Sequence, residues 1–155
     1  MVDKIESFTG EYRWLSNFWP CGLTYEGVTY PSVEHAYQAA KSLNDEERIT
    51  MSLLSRPGDA KRYGKKLTLR PDWEQVKVSV MRELLKLKFA SPFDGLGVFL
   101  RNTNDSELVE GNTWGDTIWG VCNGVGENLL GKLLMERREH LQSLYGEWEG
   151  AMEGG

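Results

Sequence analysis

Hydrophobic and polar positions along the chain predict a protein built mainly of helices. The clearest pattern starts after the helix-start signal Arg70-Pro71-Asp72, where apolar residues recur at three-and-four spacing: Trp73, Val76, Val80, Leu84 and Leu87. A second long helix is predicted from about Gly126 to about Tyr145. Its apolar face would carry Leu130, Leu133, Arg137, Leu141 and Leu144.

Four shorter helices are predicted from start signals and from runs without helix breakers. Ser32 is a suitable N-cap for a helix over residues 33–43, and Asp45 for a second helix that ends near Leu54. Pro57 opens a third helix that ends near Lys66, and Ser91-Pro92 opens another that ends near Arg101.

The β structure is predicted to be small. β-formers on both sides of Glu26-Gly27 indicate a hairpin over residues 23–30, and residues 107–122 are expected to be strand or loop. Strands do not alternate with helices, which argues against a Rossmann layout. The predicted fold class is therefore α+β, mostly helical, as one compact domain over residues 1–146 with a flexible C-terminal tail at residues 147–155.

Composition and charge narrow the function classes. A chain of 155 residues with a net charge of −5 does not favour tight, non-specific nucleic-acid binding, although a local basic groove remains compatible with it. The two cysteines, Cys21 and Cys122, lie far apart, and there are only two histidines, so no metal site is expected. No cofactor is expected either. The absence of a long apolar run gives a cytoplasmic location, away from membranes, as the default.

The segment over residues 31–41 carries the most chemical information. Glu34, Gln38 and Lys41 are spaced so that they share one helix face. That face is either an ordinary solvated Glu–Lys surface or, beside the aromatic residues that precede it, the wall of a base-and-sugar pocket. His35 points away from Glu34 and is expected to be a satisfied core histidine.

Two glycine-containing stretches follow in the second half. The first contains two tryptophans, a carboxylate and a glycine: Trp114, Trp119, Asp116 and Gly120. The tryptophans could stack a nucleobase while the carboxylate contacts a charged sugar, or they could be core residues in a bent loop. Residues 123–131 could bind an anion at a helix start, but Leu129 stands where a dinucleotide fingerprint requires glycine, so an ordinary helix start is equally compatible.

A basic run precedes the clearest helix. It could hold phosphate or a DNA backbone, although such a run is more often a solvated helix face. Its members are Lys61, Arg62, Lys65, Lys66 and Arg70.

Taken in order, these segments resemble the NADAR family, also called YbiA-like, from about Phe8 to about Leu141. Each motif alone is weak, and the resemblance rests on the order and spacing of the series. It includes Leu15-Ser-Asn-Phe18, Pro31-Ser-x-Glu34-His35-x-Tyr37-Gln38-Ala39-x-Lys41, Asp116-x-x-Trp119-Gly120 and Gly126-x-Asn128-x-Leu-Gly131. Asn112-Thr-Trp-Gly stands where many relatives have a shorter link with Ser-Pro, and this difference bears on substrate choice.

The resemblance implies a compact, helix-rich N-glycosidase that hydrolyses the bond between ribose C1 and a nitrogen of a base. Some members cleave phosphorylated riboflavin-pathway intermediates to ribose 5-phosphate, and others remove ADP-ribose from guanine in nucleic acid. The matching positions imply Glu34, Lys41 and Asp116 as catalytic residues. The implied substrate-binding residues are Asn17, Phe18, Trp73, Trp119, Gly120 and Asn128, and the stacking argument above adds Trp114.

The chemistry of these residue types is consistent with that reaction. A carboxylate near C1 can stabilise the positive charge that develops there or can activate water, and Glu34 is the first candidate, with Asp116 as its partner. Lys41 could protonate the leaving base, bind phosphate or form a transient Schiff base with an opened sugar.

Other classes of function are weighed against this one. The main alternative is a non-catalytic module that binds ADP-ribose or an NAD-derived nucleotide, and the weakest is a structural or partner-binding protein. The expected partner is a small-molecule nucleotide or an ADP-ribosylated base, with ADP-ribosylated DNA as a further candidate. The sequence does not give an oligomeric state.

Overall fold

A computed structural model describes residues 3–91 and 94–153, with side chains described up to residue 144. The elements in chain order are β1 (Lys4–Ile5), a 3-10 helix (Gly10–Leu15), β2 (Leu23–Tyr25), β3 (Val28–Tyr30), α1 (Val33–Ala40), α2 (Asp45–Ser52), α3 (Pro57–Gly64), α4 (Trp73–Lys88), α5 (Leu96–Arg101), β4 (Glu107–Leu108), β5 (Gly111–Asn112), β6 (Val121–Cys122) and α6 (Leu129–Glu153). Helices dominate and the strands form three two-stranded sheets, which confirms the α+β, mostly helical class.

The chain divides into two compact units. One comprises Arg13–Lys88, and the other comprises Met1–Tyr12 together with Phe89–Gly155. The domain limits at residues 1–146 and the flexible tail from residue 147 stay predictions. The side chains of that tail lie outside the described residues.

The predicted hairpin is present in the unit over Arg13–Lys88. β2 and β3 pair antiparallel with Leu23 opposite Tyr30, and the turn places Glu26 at φ 47° and Gly27 at φ 84°. Two positive φ values in a two-residue turn are the geometry that matches the twist of the strands. Glu26 is an unusual residue for that conformation, but its carboxylate is held by Arg48 Nη1 at 3.0 Å.

Helices α1 to α4 complete this unit, with α1 packed against each of the other three. The predicted start and length of α4 agree with the structure, but its buried face is rotated from the predicted one. Val76 and Leu87 are only half-buried, whereas Met81, Leu85 and Lys88 are buried. Lys88 is accommodated inside the unit because its ammonium donates to the Ser16 carbonyl at 2.9 Å.

The other unit contains α5, α6 and the remaining strands, with β1 parallel to β4 and β5 parallel to β6. α6 begins at Leu129, later than predicted, because Gly126 at φ 152° and Asn128 at φ 54° cannot be part of a helix. The predicted face of α6 is also wrong in part: Leu144 is 47% exposed. Arg138, not Arg137, is buried and donates to Thr103 Oγ1 and to the Ser106 carbonyl.

Two predicted helix starts are corrected. Asn44, not Asp45, caps α2, since its side-chain oxygen accepts from the Glu47 amide. α5 begins at Leu96 after Gly95 in the left-handed region, and Pro92 of the predicted start lies outside the described residues. In the ranges given above, no helix is long and apolar enough to cross a membrane.

His35 is a satisfied core histidine, as predicted. It is fully buried, its Nδ1 lies 2.7 Å from Ser32 Oγ, and its Nε2 lies 2.9 Å from the Leu54 carbonyl. The carbonyl can only accept, so the neutral ring donates from Nε2 and accepts at Nδ1. This arrangement ties α1 to the end of α2.

A pH dependence of stability follows from His35. Burial lowers its pKa, and the hydrogen bond to Leu54 opposes that shift only in part. The unfolded chain therefore takes up a proton below about pH 6.5 while the folded protein does not, so stability is complete above that pH and falls as the solution is acidified, by up to about 1.4 kcal/mol per pH unit. Urea midpoints between pH 5 and 7.5 measure this, with the exposed His140→Gln as control. A flat profile in His140→Gln would contradict the assignment.

Candidate active site

Helix α1 carries the candidate site of the first unit. Ser32 caps its start by accepting from the His35 amide, and all eight of its residues are buried. Ala36, Ala39 and Ala40 are 0% exposed, and their small side chains let neighbouring helices approach closely. Of the two alternatives for this face, the ordinary solvated Glu–Lys surface is not supported, because the face is directed into the protein along most of its length.

Glu34 lies in the first turn of α1 and is 8% exposed. Its backbone amide donates to the Asn17 carbonyl at 3.0 Å, and its Oε1 accepts from Gln38 Nε2 at 2.8 Å. A carboxylate at a helix start is favoured by the dipole, and the amide of Gln38 fixes its orientation. The structure thus places Asn17, Glu34 and Gln38 together.

The Asn17-Phe18 segment is held from two sides. Lys88 Nζ donates to the Ser16 carbonyl, and the Phe18 amide donates to Ser16 Oγ at 3.1 Å. Asn17 Nδ2 contacts Met81 Sδ at 3.7 Å, while its Oδ1 is buried and accepts no hydrogen bond from any residue that the structure describes. Phe18 is 44% exposed. Both side chains therefore keep the capacity to contact a ligand, one as an acceptor and one as an apolar surface.

Lys41 follows directly after α1. Its ammonium lies 5.7 Å from the centroid of the Tyr37 ring, a cation–π geometry, and the Tyr37 ring lies 5.1 Å from that of Trp73. Burial lowers the pKa of Lys41, the charges of Lys61, Lys65 and Lys77 lower it further, and Glu34 opposes them. Trp73 itself is 5% exposed, so it supports Tyr37 from the interior.

Gln38 is closely fitted against α3. A side-chain carbon added at Gly64 would collide with the Gln38 amide, so the glycine provides the room in which Gln38 reaches Glu34. Gln38 Oε1 is buried there and accepts no hydrogen bond from any residue in the described ranges. Gly64 therefore supports the site because it has no side chain that would collide with Gln38, and not because of an unusual backbone conformation.

We expect Gly64→Ala to lower both stability and turnover. The added methyl group overpacks the α1–α3 contact, which costs about 1–3 kcal/mol, and it displaces the amide that orients Glu34. Gly58→Ala is a matched control in the same helix, because the nearest atom to its added carbon is Arg62 Nη1 at 3.9 Å. Urea unfolding and initial rates measure both effects. Equal behaviour of the two variants would contradict this role of Gly64.

The second group of predicted site residues lies in the other unit, in the loop between β5 and β6. Asn112 organises this loop: its Nδ2 donates to the Asp116 carbonyl at 2.9 Å and its Oδ1 accepts from the Asp116 amide at 3.0 Å. Asp116 Oδ1 in turn accepts from the amides of Ile118 and Trp119, at 3.1 and 2.9 Å. One oxygen of the Asp116 carboxylate thus holds the backbone of the loop.

The tryptophans of this loop differ in environment. Trp114 is 62% exposed and precedes Gly115, which has φ 86°, whereas Trp119 is half-buried. Gly120 is buried against the Glu110 carbonyl, where a side chain would collide with the backbone. Trp114 is therefore the more exposed of the two tryptophans, and Gly120 allows two backbone segments to approach closely.

Removal of the Asp116 carboxylate should loosen this loop. Asp116→Ala leaves the amides of Ile118 and Trp119 without their acceptor, a loss comparable to that of a helix cap, about 0.5–2 kcal/mol. Asp116→Asn keeps an acceptor oxygen and should lose less. Urea midpoints and the tryptophan emission of the folded state measure the change. If Asp116→Ala unfolds at the wild-type midpoint, the carboxylate does not hold the loop.

Asn128 and the start of α6 are engaged within the same unit. Asn128 is 8% exposed, donates to the Leu108 carbonyl at 2.9 Å and accepts from the Glu110 amide at 3.0 Å. The amides of residues 127–130 donate to carbonyls of residues 117–120. The anion site considered at this helix start is therefore not supported, since the amides it would use are already engaged.

Several participants were not among the predicted site residues. Tyr37 and Gln38 contact Lys41 and Glu34, Asn112 organises the tryptophan loop, and Lys77 acts on the charge of Lys41. Gln38 was predicted to share a face with Glu34 and Lys41, and its i, i+4 spacing from Glu34 is the signal that could have added it to the predicted site residues. Among the residues that the structure describes, no group of three or more His, Cys, Asp or Glu is arranged to hold a metal ion.

Comparison with known proteins agrees with the family motifs. The NADAR domain model matches residues 6–142. The N-glycosidase YbiA of Shigella sonnei is 41% identical over 149 residues, which cover 91% of each chain. A riboflavin biosynthesis protein of Vibrio vulnificus is 37% identical over 136 residues, 84% of this chain and 36% of that protein.

A solved structure agrees with the fold as well. The NMR structure of YbiA from E. coli has a TM-score of 0.82 and 37% identity, covering 95% of this chain and 90% of that one. The two proteins therefore share their fold as well as the sequence motifs. The chain therefore belongs to the NADAR domain family and is an enzyme of its N-glycosidase type, a hydrolase acting on N-glycosyl bonds.

Proposed function

We propose that the protein hydrolyses the bond between ribose C1 and a nitrogen of a ribosylated base, and that the reaction takes place at the Glu34 end of α1. The observation that carries this proposal is a carboxylate only 8% exposed, oriented by Gln38, on the same helix face as a lysine whose pKa is lowered by burial. Breaking a C1–N bond develops positive charge on the sugar, and a carboxylate in such surroundings stabilises it.

Lys41 acts in this proposal as the nucleophile. A lysine is activated when it is desolvated and lies near other cations, because both effects favour the neutral amine, and Lys41 has both. The C1–O bond of the ribose ring breaks as the ring oxygen takes up a proton, and C1 becomes an imine of the base nitrogen. Nζ of Lys41 adds to C1, and the base amine leaves with a proton.

Water completes the reaction. It adds to C1 of the lysine imine, and the C–N bond to Lys41 breaks, which releases the sugar as an aldehyde that closes again to the ring. Glu34 carries the protons between these steps and stabilises the cationic imines. The sum is substrate plus water giving free base and free sugar, with Lys41 and Glu34 restored.

The other predicted residues take supporting roles in the proposal. Asn17 would accept a hydrogen bond from the substrate at its buried Oδ1, and Phe18 would offer apolar surface. The remaining predicted residues would keep neighbouring backbone and side chains in position, in keeping with their internal contacts. They are Trp73, Asp116, Trp119, Gly120 and Asn128. A binding module without turnover loses support, since the relatives of similar length are named N-glycosidases.

Two classes of ribosylated base are candidates. The matches to riboflavin biosynthesis proteins favour a phosphorylated riboflavin-pathway intermediate. ADP-ribosylated guanine in nucleic acid is the other candidate substrate. The loop that contains Trp114 differs in sequence from that of many relatives, and this difference bears on the choice between the two substrates. In both, the base can present an amine to C1, as the proposed chemistry requires.

Product analysis by liquid chromatography and mass spectrometry tests the proposal. The protein is incubated separately with ADP-ribosylated guanine DNA and with the phosphorylated riboflavin intermediates. Release of ADP-ribose or of ribose 5-phosphate, with the matching free base, supports cleavage at C1–N and identifies the substrate. If both substrates are recovered intact, the proposed substrate class is wrong.

A further inference from the structure

The ring of Tyr37 lies beneath the nitrogen that reacts in the proposed chemistry. Tyr37 and Lys41 are four residues apart, the spacing at which side chains on one helix face meet. The ammonium of Lys41 lies over the ring, 5.7 Å from its centroid, which is within the distance of a cation–π contact. Tyr37 is 7% exposed, so water has little access to it. A cation–π contact with a largely desolvated partner is stronger than one on the open surface.

The start of α4 holds both partners of this contact. The Trp73 ring lies 5.1 Å from the Tyr37 ring at an interplanar angle of 58°, a separation and a tilt that aromatic pairs favour. The Arg70 amide, three residues before Trp73, donates to the Lys41 carbonyl at 2.7 Å. One turn of the chain therefore contacts both the ring and the backbone from which the ammonium extends, so the fold sets their separation.

Positive charge stays at this nitrogen for much of the proposed reaction. Once Nζ of Lys41 has added to C1, it passes one proton to the base nitrogen through Glu34. The bond between C1 and the base then breaks, and its electron pair leaves with the base amine. The lone pair of Nζ forms the second bond to C1, which gives a protonated lysine imine whose charge is shared between Nζ and C1.

The face of an aromatic ring is the negative end of its quadrupole, so it attracts a cation and gains little from a neutral amine. We propose that Tyr37 is a catalytic residue of this reaction, and that the face of its ring stabilises the cationic imine at Nζ of Lys41. This inference rests on the proposed function, because it assigns a further residue to the same site. Trp73 is a positioning residue, since it acts through the Tyr37 ring.

Fluorination of the ring tests this role at nearly constant shape. Fluorine withdraws electron density from the face, so the ring attracts a cation less while it still fills its place. Tyr37→Phe is the reference, and it is compared with proteins that carry a difluorinated or a pentafluorinated phenylalanine in place of Tyr37. Any effect of the missing hydroxyl cancels, because all three lack it. We expect kcat for base release to fall stepwise with fluorination, by about 10- to 30-fold for the pentafluorinated ring, while KM changes little.

Tyr30 is the matched control position. It is a tyrosine of the same unit, 1% exposed, and its hydroxyl has no hydrogen-bond partner among the residues that the structure describes. The two fluorinated phenylalanines in place of Tyr30 should give the kcat of Tyr30→Phe. Thermal unfolding of every sample shows that it is folded. An equal loss of kcat in both series would indicate a general effect of fluorinated rings in the interior and would overturn the proposal.

The pKa of Lys41 in the absence of substrate gives a readout that does not depend on turnover. NMR of isotope-labelled lysine measures it in the Tyr37 series. A weaker ring face stabilises the ammonium less, so fluorination should lower this pKa. The charged groups that act on Lys41 are the same in all variants, so the shift reports the ring alone; they are Glu34, Lys61, Lys65 and Lys77. A pKa that does not move would overturn the contact on which the proposal rests.

Borohydride trapping separates this inference from the proposed function. Fluorination of the ring at position 37 should lower the yield of sugar trapped on Lys41. Equal yields and equal kcat across the series would leave the reaction standing and remove the role of Tyr37. Base release with no adduct on Lys41, even in the wild type, would overturn the proposed lysine chemistry itself, and a lowered pKa would then leave only the contact between ring and ammonium.

Discussion

Glu34→Gln should fold as the wild type does and should lose turnover by about 10²–10⁴-fold, the range expected for removal of a positioned proton carrier. Glutamine has the shape of glutamate, and its oxygen can still accept the hydrogen bond that Gln38 Nε2 donates to Glu34 Oε1. The glutamine at position 34, however, can neither carry a proton nor stabilise a cationic sugar by a negative charge. Initial rates of base release, with thermal unfolding of the same samples, measure both parts of the prediction.

Glu26→Gln is the control for that experiment. Glu26 also loses its charge in the variant, but it lies in the hairpin turn and pairs with Arg48, away from the proposed chemistry. A hydrogen bond with Tyr25 and then the interaction with Arg48 lower the pKa of Glu26, so the control should be less stable than the wild type above pH 4.5. Its turnover should be retained. Full activity in Glu34→Gln, or the same loss in both variants, would contradict the catalytic assignment.

Lys41→Arg should also abolish most of the turnover, by about 10³-fold or more. Arginine keeps the positive charge and the contact with the Tyr37 ring, but its guanidinium does not become a neutral nucleophile in proteins. In the wild type, kcat should rise with pH as Lys41 loses its proton and level off below the ordinary range of lysine, because burial and the neighbouring lysines lower its pKa. Steady-state rates from pH 6 to 10 measure this profile.

Borohydride reduction provides the direct control for the same residue. It should trap the sugar on the peptide that contains Lys41 in the wild type and should trap nothing there in Lys41→Arg. A kcat that falls with rising pH, together with no trapped adduct, would instead assign Lys41 the role of a proton donor to the leaving base.

Local signals in the sequence were sufficient for much of the fold. The Glu26-Gly27 turn, the Ser32 cap and the apolar spacing after Asp72 each act over a few residues, and each element is found in its predicted place. The buried faces of α4 and α6 were less predictable. Lys88 and Arg138 lie inside because distant carbonyls accept their hydrogen bonds, and an apolar periodicity contains no information on those partners.

The candidate site shows the same limit. The spacing of Glu34, Gln38 and Lys41 showed that they share a face, but not that this face is buried, since charged residues at such spacing are usually solvated. The burial depends on α3, where Gly64 makes room for Gln38, and on the alanines of α1. For the loop over residues 111–122, the order is imposed by the Asn112 side chain, which no periodic pattern indicates.

A double-mutant cycle on base release tests the central claim that Glu34 and Lys41 act together in cleavage of the C1–N bond. Rates are compared for the wild type, Glu34→Gln, Lys41→Arg and the double variant, with thermal unfolding to confirm that all four are folded. Residues that serve one reaction sequence are strongly non-additive, so the double variant should be about as slow as the slower single variant. Losses that multiply, as for two independent sites, would contradict the account.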